Sequence, residues 1–252
     1  MDTDVIYNED CLIGMDRVPD KSVDMILCDL PYGTTRKTGW DSVIPLDRLW
    51  AQYKRVIKKS GAIILTGQIP FTIDLANSNR EWLRYEWIWE KTTPTGFLNA
   101  NRMPLKVHEN VLVFYDSLCK YNPQGCILGK KQSPGSVSLC YDTDSNYAGN
   151  LQDSLGMVNY PRDILKFHKD SGVAHPTAKP VALFEYLIRT YTDEGDIVLD
   201  NCMGSGTTAV ACIRSGRHFI GFETDEEYCN LAQTRINSTV KAVQKKSLEE
   251  WL

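Results

Sequence analysis

Two strand-ending motifs sit near opposite ends of this chain of 252 residues. The apolar run Val23 to Cys28 stops at Asp29-Leu30-Pro31-Tyr32-Gly33. The run Ile197-Val198-Leu199-Asp200 leads into Asn201-Cys202-Met203-Gly204-Ser205-Gly206-Thr207-Thr208. Short apolar runs bounded by Gly and Pro read as buried strands. Strands buried on both faces belong to a mostly parallel sheet covered by helices. With 42% hydrophobic residues the chain can bury one sizeable core.

Helical and strand patterns alternate at both ends, which predicts a doubly wound α/β sheet. Leu46, Leu49, Trp50, Tyr53, Val56 and Ile57 have helical spacing, with Pro45 at the first position and Gly61 as C-terminal cap. Residues 62–66 read as the next strand, and Phe71 to Ala76 as a short helix. Tyr85 to Glu90 and Asn110 to Tyr115 are two β-rich runs. Beyond Pro180 a helix is marked by Val181, Phe184, Leu187, Ile188 and Tyr191. It is followed by strand 197–200, helix 206–215, strand 218–222 and a helix opened by a capping-box spacing from Thr224 to Glu227. Residues 116–171 have poor periodicity, many turn residues and several tyrosines, and an insert this long is usually functional. The expected organisation is a catalytic domain over 1–115 and 172–252 with an insertion at 116–171.

In an open α/β sheet, ligands bind beyond the carboxyl ends of the strands. Asp200 stands at such an end. Gly204 and Gly206 let backbone approach a ligand, and Ser205, Thr207 and Thr208 add hydroxyls at a helix start. Glu223 ends the next strand, where a carboxylate accepts hydrogen bonds from ribose hydroxyls. Alone, the glycines would simply turn a strand into a helix; with Asp200 and Glu223 they read as a nucleoside site. The spacing is neither a Walker loop nor a dinucleotide fingerprint. No Lys or Arg lies between Asp200 and Ala211, which disfavours a triphosphate and suits S-adenosylmethionine.

At the other motif, the Asp29 carboxylate and the Leu30 carbonyl can each accept one hydrogen of an exocyclic amine. Two such acceptors move the nitrogen toward sp³ geometry and free its lone pair for in-line attack on a methyl sulfonium. Tyr32 supplies a ring on which a base extruded from its duplex can stack.

These motifs resemble those of the β-class DNA amino-methyltransferases. Asp29 to Tyr32 is similar to their Asp-Pro-Pro-Tyr tetrapeptide, and residues 200–208 to Asp-Pro-Phe-x-Gly-Ser-Gly-Thr-Thr. His175-Pro176-Thr177-Ala178-Lys179-Pro180 is similar to His-Pro-Thr-Gln-Lys-Pro, and Asn8 to Leu12 to the segment beside the cofactor adenine. Trp89-Glu90-Lys91 and His108-Glu109-Asn110 also resemble the family. The permuted order, catalytic motif first and cofactor motif last, is that of the β class. The resemblance implies a Rossmann-like methyltransferase sheet, mostly parallel with an antiparallel edge hairpin, carrying an irregular target-recognition insertion. It implies catalysis by Asp29, Leu30, Pro31 and Tyr32. Cofactor binding falls to Asp10, Cys11, Thr177, Lys179, Asp200, Met203, Gly204, Ser205, Gly206, Thr207, Thr208 and Glu223, with Lys179 facing the cofactor carboxylate. Leu30 stands where the family has Pro, Asn201-Cys202 where it has Pro-Phe, and Ala178 where it has Gln.

The resemblance implies adenine N6 rather than cytosine N4 as target, since Asp at the first motif position is typical of the family's adenine enzymes. An inactive DNA-binding paralogue and an RNA enzyme are the alternatives. A net charge of −4 argues against indiscriminate coating of nucleic acid. Local basic clusters still offer DNA contacts: Arg36 and Lys37 in a loop (34–41) expected to close over the base, Lys130 and Lys131, and Arg162. Gln124 and Asn150 are further candidate readers in the insertion. No pattern for metal ligation occurs, and the eight cysteines lack C-x-x-C pairing, as expected of a cytoplasmic protein without disulfides or zinc. No membrane span is expected, and family likeness points to a homodimer.

Overall fold

The computed structural model describes residues 1–33, 42–128, 157–170 and 178–250. Its elements run β1 (Val5–Asn8), α1 (Cys11–Gly14), β2 (Val23–Cys28), α2 (Leu46–Val56), β3 (Ile57–Gly67), α3 (Phe71–Ser78), β4 (Leu83–Thr95) and β5 (Lys106–Phe114). They continue as β6 (Ile127–Leu128), β7 (Met157–Val158), β8 (Ile164–Phe167), α4 (Val181–Tyr191), β9 (Ile197–Asp200), α5 (Thr207–Ser215), β10 (His218–Glu223) and α6 (Glu226–Glu250). The chain divides into two compact units, 1–122 with 163–252, and 123–162.

The larger unit is built on an eight-stranded sheet of order β1-β10-β9-β2-β3-β5-β4-β8. The strands from β1 to β3 are parallel, β5 is antiparallel to both β3 and β4, and β8 runs parallel to β4. Side chains alternate across this sheet, as the period of a strand requires. Met25, Leu27, Ala62, Ile64, Val111 and Val113 face a core shared with α4 and α5. Ile26, Cys28, Ile63, Leu65, Leu112 and Phe114 face the core shared with α1 and α2. Both faces are covered, so the central strands read as continuous apolar runs.

The connectivity makes the site. From β9 the chain steps outward to β10, while from β2 it steps the opposite way to β3, so β9 and β2 flank the switch point. Met25 pairs with Val198 and Ile26 with Leu199. Asp29 and Asp200, far apart in sequence, therefore end neighbouring strands, about 5 Å apart in the hydrogen-bonding direction.

Several boundaries differ from the sequence reading. Gly61 does not cap α2; it lies inside β3, where a Cβ would come within 2.7 Å of the Asp24 carbonyl oxygen. The register of β3 slips against β2 between Ile57 and Ala62, so the polar residues 58–61 hide the early start of the strand. Pro45 is the N-cap of α2 and not its first residue. At α6, Asp225 rather than Thr224 does the capping, its Oδ1 accepting from the Glu227 and Tyr228 N–H groups at 2.9 and 3.1 Å. The β4–β5 hairpin is not the sheet edge. β8 adds outside it, and Trp89 Nε1 donates to the Phe167 carbonyl at 3.1 Å. Residues 164–167, inside the expected insertion, thus belong to the main sheet.

The smaller unit holds the antiparallel pair β6–β7 and a turn in which Asn159 Nδ2 donates to the Gly125 carbonyl at 2.8 Å. Arg162 is exposed there. Arg36, Lys37, Lys130, Lys131, Asn150 and Thr177 lie outside the described residues, as does the whole of the expected closing loop, 34–41.

Candidate active site

A cavity of about 560 Å³ opens at the carboxyl ends of β1, β2, β9 and β10, within the usual range for a small-molecule pocket. One end is lined by Glu9 to Leu12, Asp200 to Gly204, Thr207, Glu223 and Tyr228. The other is lined by Asp29 to Tyr32, Gln68, Lys91, Glu109 and Lys179. Both motifs therefore open into one space.

At the first end the backbone is turned by Gly204 (φ 51°) and Gly206 (φ 82°), both left-handed, where glycine avoids the Cβ penalty. Gly206 also packs against α6, and a Cβ there would sit 2.8 Å from that of Ala232. Glu223 is held by two backbone donors, Gly204 N–H on Oε2 at 2.7 Å and Asp225 N–H on Oε1 at 2.9 Å. A carboxylate has about four lone-pair sites, so Glu223 keeps acceptor capacity toward the cavity it lines. Asp10 caps α1 through Oδ1, accepting from Leu12 N–H at 2.8 Å, which places Glu9 to Leu12 along the wall.

Three of the expected cofactor residues do not line the cavity. Ser205 is buried and its Oγ accepts from Arg235 Nη1 at 2.9 Å. Thr208 is buried and donates to Asp200 Oδ2. Gly206 forms the turn against α6. They hold the loop from behind, while Met203, Gly204 and Thr207 form its inner surface. Asn201, in place of the family's Pro, turns inward and accepts from the buried Tyr53 hydroxyl, with its amide on the Cys11 and Cys202 sulfurs at 3.6 and 3.4 Å.

Burial pushes the Asp200 carboxyl up to about 6, against the Thr208 and Cys202 hydrogen bonds, which pull it down. The folded state thus holds this proton more tightly than the unfolded chain. The group favours folding when protonated and turns unfavourable as pH rises from the ordinary value, 3.8, through about 6. Asp200→Asn should gain on the native protein by roughly 3 kcal/mol across that window, read by urea unfolding at pH 4 to 7. A stability difference independent of pH would refute this.

The other end is a chain of paired charges, buried at Lys179, Glu109 and Lys91 and half-buried at Asp29. Asp29 Oδ1 accepts from the Tyr32 hydroxyl at 2.7 Å and from Thr66 Oγ1. Its Oδ2 pairs with Lys179 Nζ at 2.5 Å. Lys179 also pairs with Glu109 Oε2 at 3.2 Å, and Glu109 Oε1 with Lys91 Nζ at 2.6 Å, with Gln68 Nε2 adding a bond at 2.9 Å. Burial would lower the Lys179 ammonium, but Asp29 and Glu109 outweigh it and hold it above the usual lysine range. Burial would likewise raise Glu109; Lys179 and Lys91 win and keep it below the usual glutamate range. Phe71 backs the Tyr32 ring, with centroids 5.2 Å apart and planes 27° from parallel. Lys179 is thus paired with Asp29 and Glu109 at the chemical end, where the sequence reading had it facing the cofactor carboxylate.

The reading from sequence missed Thr66, Phe71 and Gln68 altogether, and gave Lys91 and Glu109 only as parts of family-like runs. Thr66 and Gln68 are short polar residues at the end of a strand, and nothing in their spacing points across the sheet to Asp29 or Glu109.

The sequence model of a family described as DNA methylase, the N6/N4 methyltransferases, matches residues 23–234. The chain belongs to that family. Among relatives, the methylase is 29% identical over 246 residues to the DNA adenine methyltransferase YhdJ of Escherichia coli, covering 92% of this chain and 82% of that one. It is 26% identical to the type II methyltransferase M.HinfI of Haemophilus influenzae, covering 92% and 67%. Among solved structures, that of M1.HpyAVI in complex with S-adenosylmethionine matches with a TM-score of 0.61 and 25% identity over 91% of this chain and 98% of that one. The cytosine-N4-specific PvuII DNA methyltransferase matches with a TM-score of 0.67 over 91% and 85%, but at 17% identity it speaks for the fold alone. Among the described residues, no helix is long and apolar enough to cross a membrane.

Proposed function

We propose that this methylase transfers a methyl group from S-adenosylmethionine to the exocyclic N6 of adenine in DNA. The observation that carries the reading is the shared cavity, with Asp29 at one end and Gly204 and Glu223 at the other. The adenine target rests on the Asp that opens the catalytic motif and on the likeness to a DNA adenine methyltransferase.

The residues present fit the cofactor. Glu223 has anchored oxygens with lone pairs left for ribose hydroxyls, Glu9 to Leu12 form an adjoining wall, and Met203, Gly204 and Thr207 offer backbone and side-chain contacts for the amino-acid part. The lining cations, Lys91, Lys169 and Lys179, belong to the other end, where Lys169 feels Lys91, Glu109 and Asp29. Bound there, the cofactor supplies an electrophilic methyl carbon on a sulfonium.

The protein's own part is positioning. The Asp29 carboxylate and Leu30 carbonyl accept hydrogen bonds from the two amine hydrogens, Tyr32 braced by Phe71 carries the base face, and Lys179 holds the Asp29 carboxylate in place. When nitrogen gains a methyl group it must release a proton, and Asp29 is the adjacent acceptor. A homodimer belongs to the same reading, and light scattering at twice the chain mass would support it.

Incubation with tritiated cofactor and unmethylated plasmid DNA, followed by nucleoside mass spectrometry, should yield N6-methyladenine. N4-methylcytosine as the product, or label in RNA and not in DNA of equal sequence, would overturn the target. Cofactor binding without transfer to any DNA would favour an inactive binding protein.

A further inference from the structure

The tip of the β4–β5 hairpin is apolar and exposed: Phe97 is 64%, Leu98 102% and Met103 50% accessible. Isolated exposed apolar residues are ordinary, but three on one tip of a buried-core enzyme form a patch of the kind that marks a contact surface. The tip is also well built. Gly96 turns it with φ 92°, and hydrogen bonds run from Asn99 N–H to the Gly96 carbonyl (3.0 Å), Ala100 N–H to Phe97 (3.1 Å) and Arg102 N–H to Asn99 (2.8 Å). The side chains stay outside although the backbone is tied down.

Two further facts say what the tip faces. From Thr92 to His108 no acidic residue occurs, while Arg102 and Lys106 add positive charge, in a chain whose net charge is −4. The strands below it line the cavity through Lys91, Thr95 and Glu109. Only Gly96 stands between Thr95 and Phe97, so the tip begins two Cα steps, within about 8 Å, from the cavity wall. That is two to three base steps, at about 3.4 Å each. A cationic stem under an apolar tip beside a base-sized pocket matches a polyanion with an apolar, stacked interior.

We infer that Phe97 and Leu98 form a wedge that enters the base stack of duplex DNA and occupies the gap left by the extruded target base. Apolar side chains of this kind part base steps in duplex-deforming proteins. Arg102 and Lys106 would meet the flanking phosphates. The inference rests on the proposed DNA methyltransferase activity, and the wild-type protein reports on that activity independently.

The test compares methyl transfer to duplex plasmid DNA and to the same DNA heat-denatured, for wild type and F97A/L98A. Both side chains are on the surface and neither touches the cofactor wall, so the variant should fold with unchanged cofactor affinity. A wedge predicts at least a tenfold loss on the duplex and less than a twofold change on single strands, with part of the duplex rate restored by Leu98→Phe in the F97A background. Arg102→Ala with Lys106→Ala should flatten the salt dependence of duplex binding, by a slope of about one to two. Equal losses on both substrates, or no loss on the duplex, would overturn the wedge. A change in oligomeric state with equal losses would assign the tip to a second copy of the chain and would also overturn it. No transfer by the wild type to either substrate would instead refute the activity.

Discussion

Replacing Lys179 with methionine is expected to lower the unfolding free energy by about 3–5 kcal/mol. The ammonium is buried between Asp29 and Glu109 and contacts both. A hydrophobic side chain of similar length fills the volume but leaves two carboxylates with Lys91 as the remaining paired cation. Stranding a buried charge costs more than the pair was worth, because desolvation is no longer offset. Glu109→Gln on top of Lys179→Met removes one stranded charge and should recover part of the loss. The pH dependence has a definite sign. In the native protein Glu109 is held below the usual glutamate value, so its contribution is present above pH 4.5 and fades as pH falls below it. In Lys179→Met burial wins, Glu109 binds its proton more readily in the folded state, and acidification restores stability. The gap between wild type and variant should therefore narrow from pH 7 toward pH 4.5 in denaturant titrations. A constant gap, or a loss under 1 kcal/mol, would mean that the buried pairs do not govern this region.

Asp29→Ala should reduce methyl transfer by at least about a thousandfold, the scale on which removing one preorganised polar partner or proton acceptor acts. Cofactor affinity should stay within a few-fold, since the Gly204 and Glu223 wall is built on other strands. Lys179 keeps Glu109 as partner in this variant, so the fold should survive and loss of rate can be read as chemistry. Titration calorimetry with the cofactor and a single-turnover assay separate the two quantities. Turnover within tenfold of wild type would remove Asp29 from the reaction, and lost cofactor binding would place it on the other wall.

The parts of this molecule legible in the sequence are those with a local physical cause. β2 and β9 are buried on both faces, so they appear as apolar runs, and the residues that stop them are the residues that face the cavity. Gly204 and Gly206 are visible because a left-handed turn needs glycine. The charge chain was not legible, because Lys179, just ahead of α4, meets Asp29 only once α4 has packed against β2, and no period or spacing records that meeting. Ser205 and Thr208 look like ligands from their hydroxyls alone, yet Arg235 and Asp200 claim them from behind. β8 escaped notice for a related reason. Four residues in a turn-rich stretch become a strand only because β4 offers an edge.

The place of β9 and β10 between β1 and β2 has a consequence for synthesis. The two earliest strands are joined laterally by two of the latest. A nascent chain that has not emerged past residue 200 holds β2 with one side bare, and one that has not emerged past residue 223 holds β1 without its pairing partner. Pairings this distant along the chain form slowly, because closing the loop precedes any gain from contact. The enzyme therefore cannot assemble its site before residue 223 has been made, and losing β9 and β10 parts β1 from β2 while leaving the β3-β5-β4-β8 side paired.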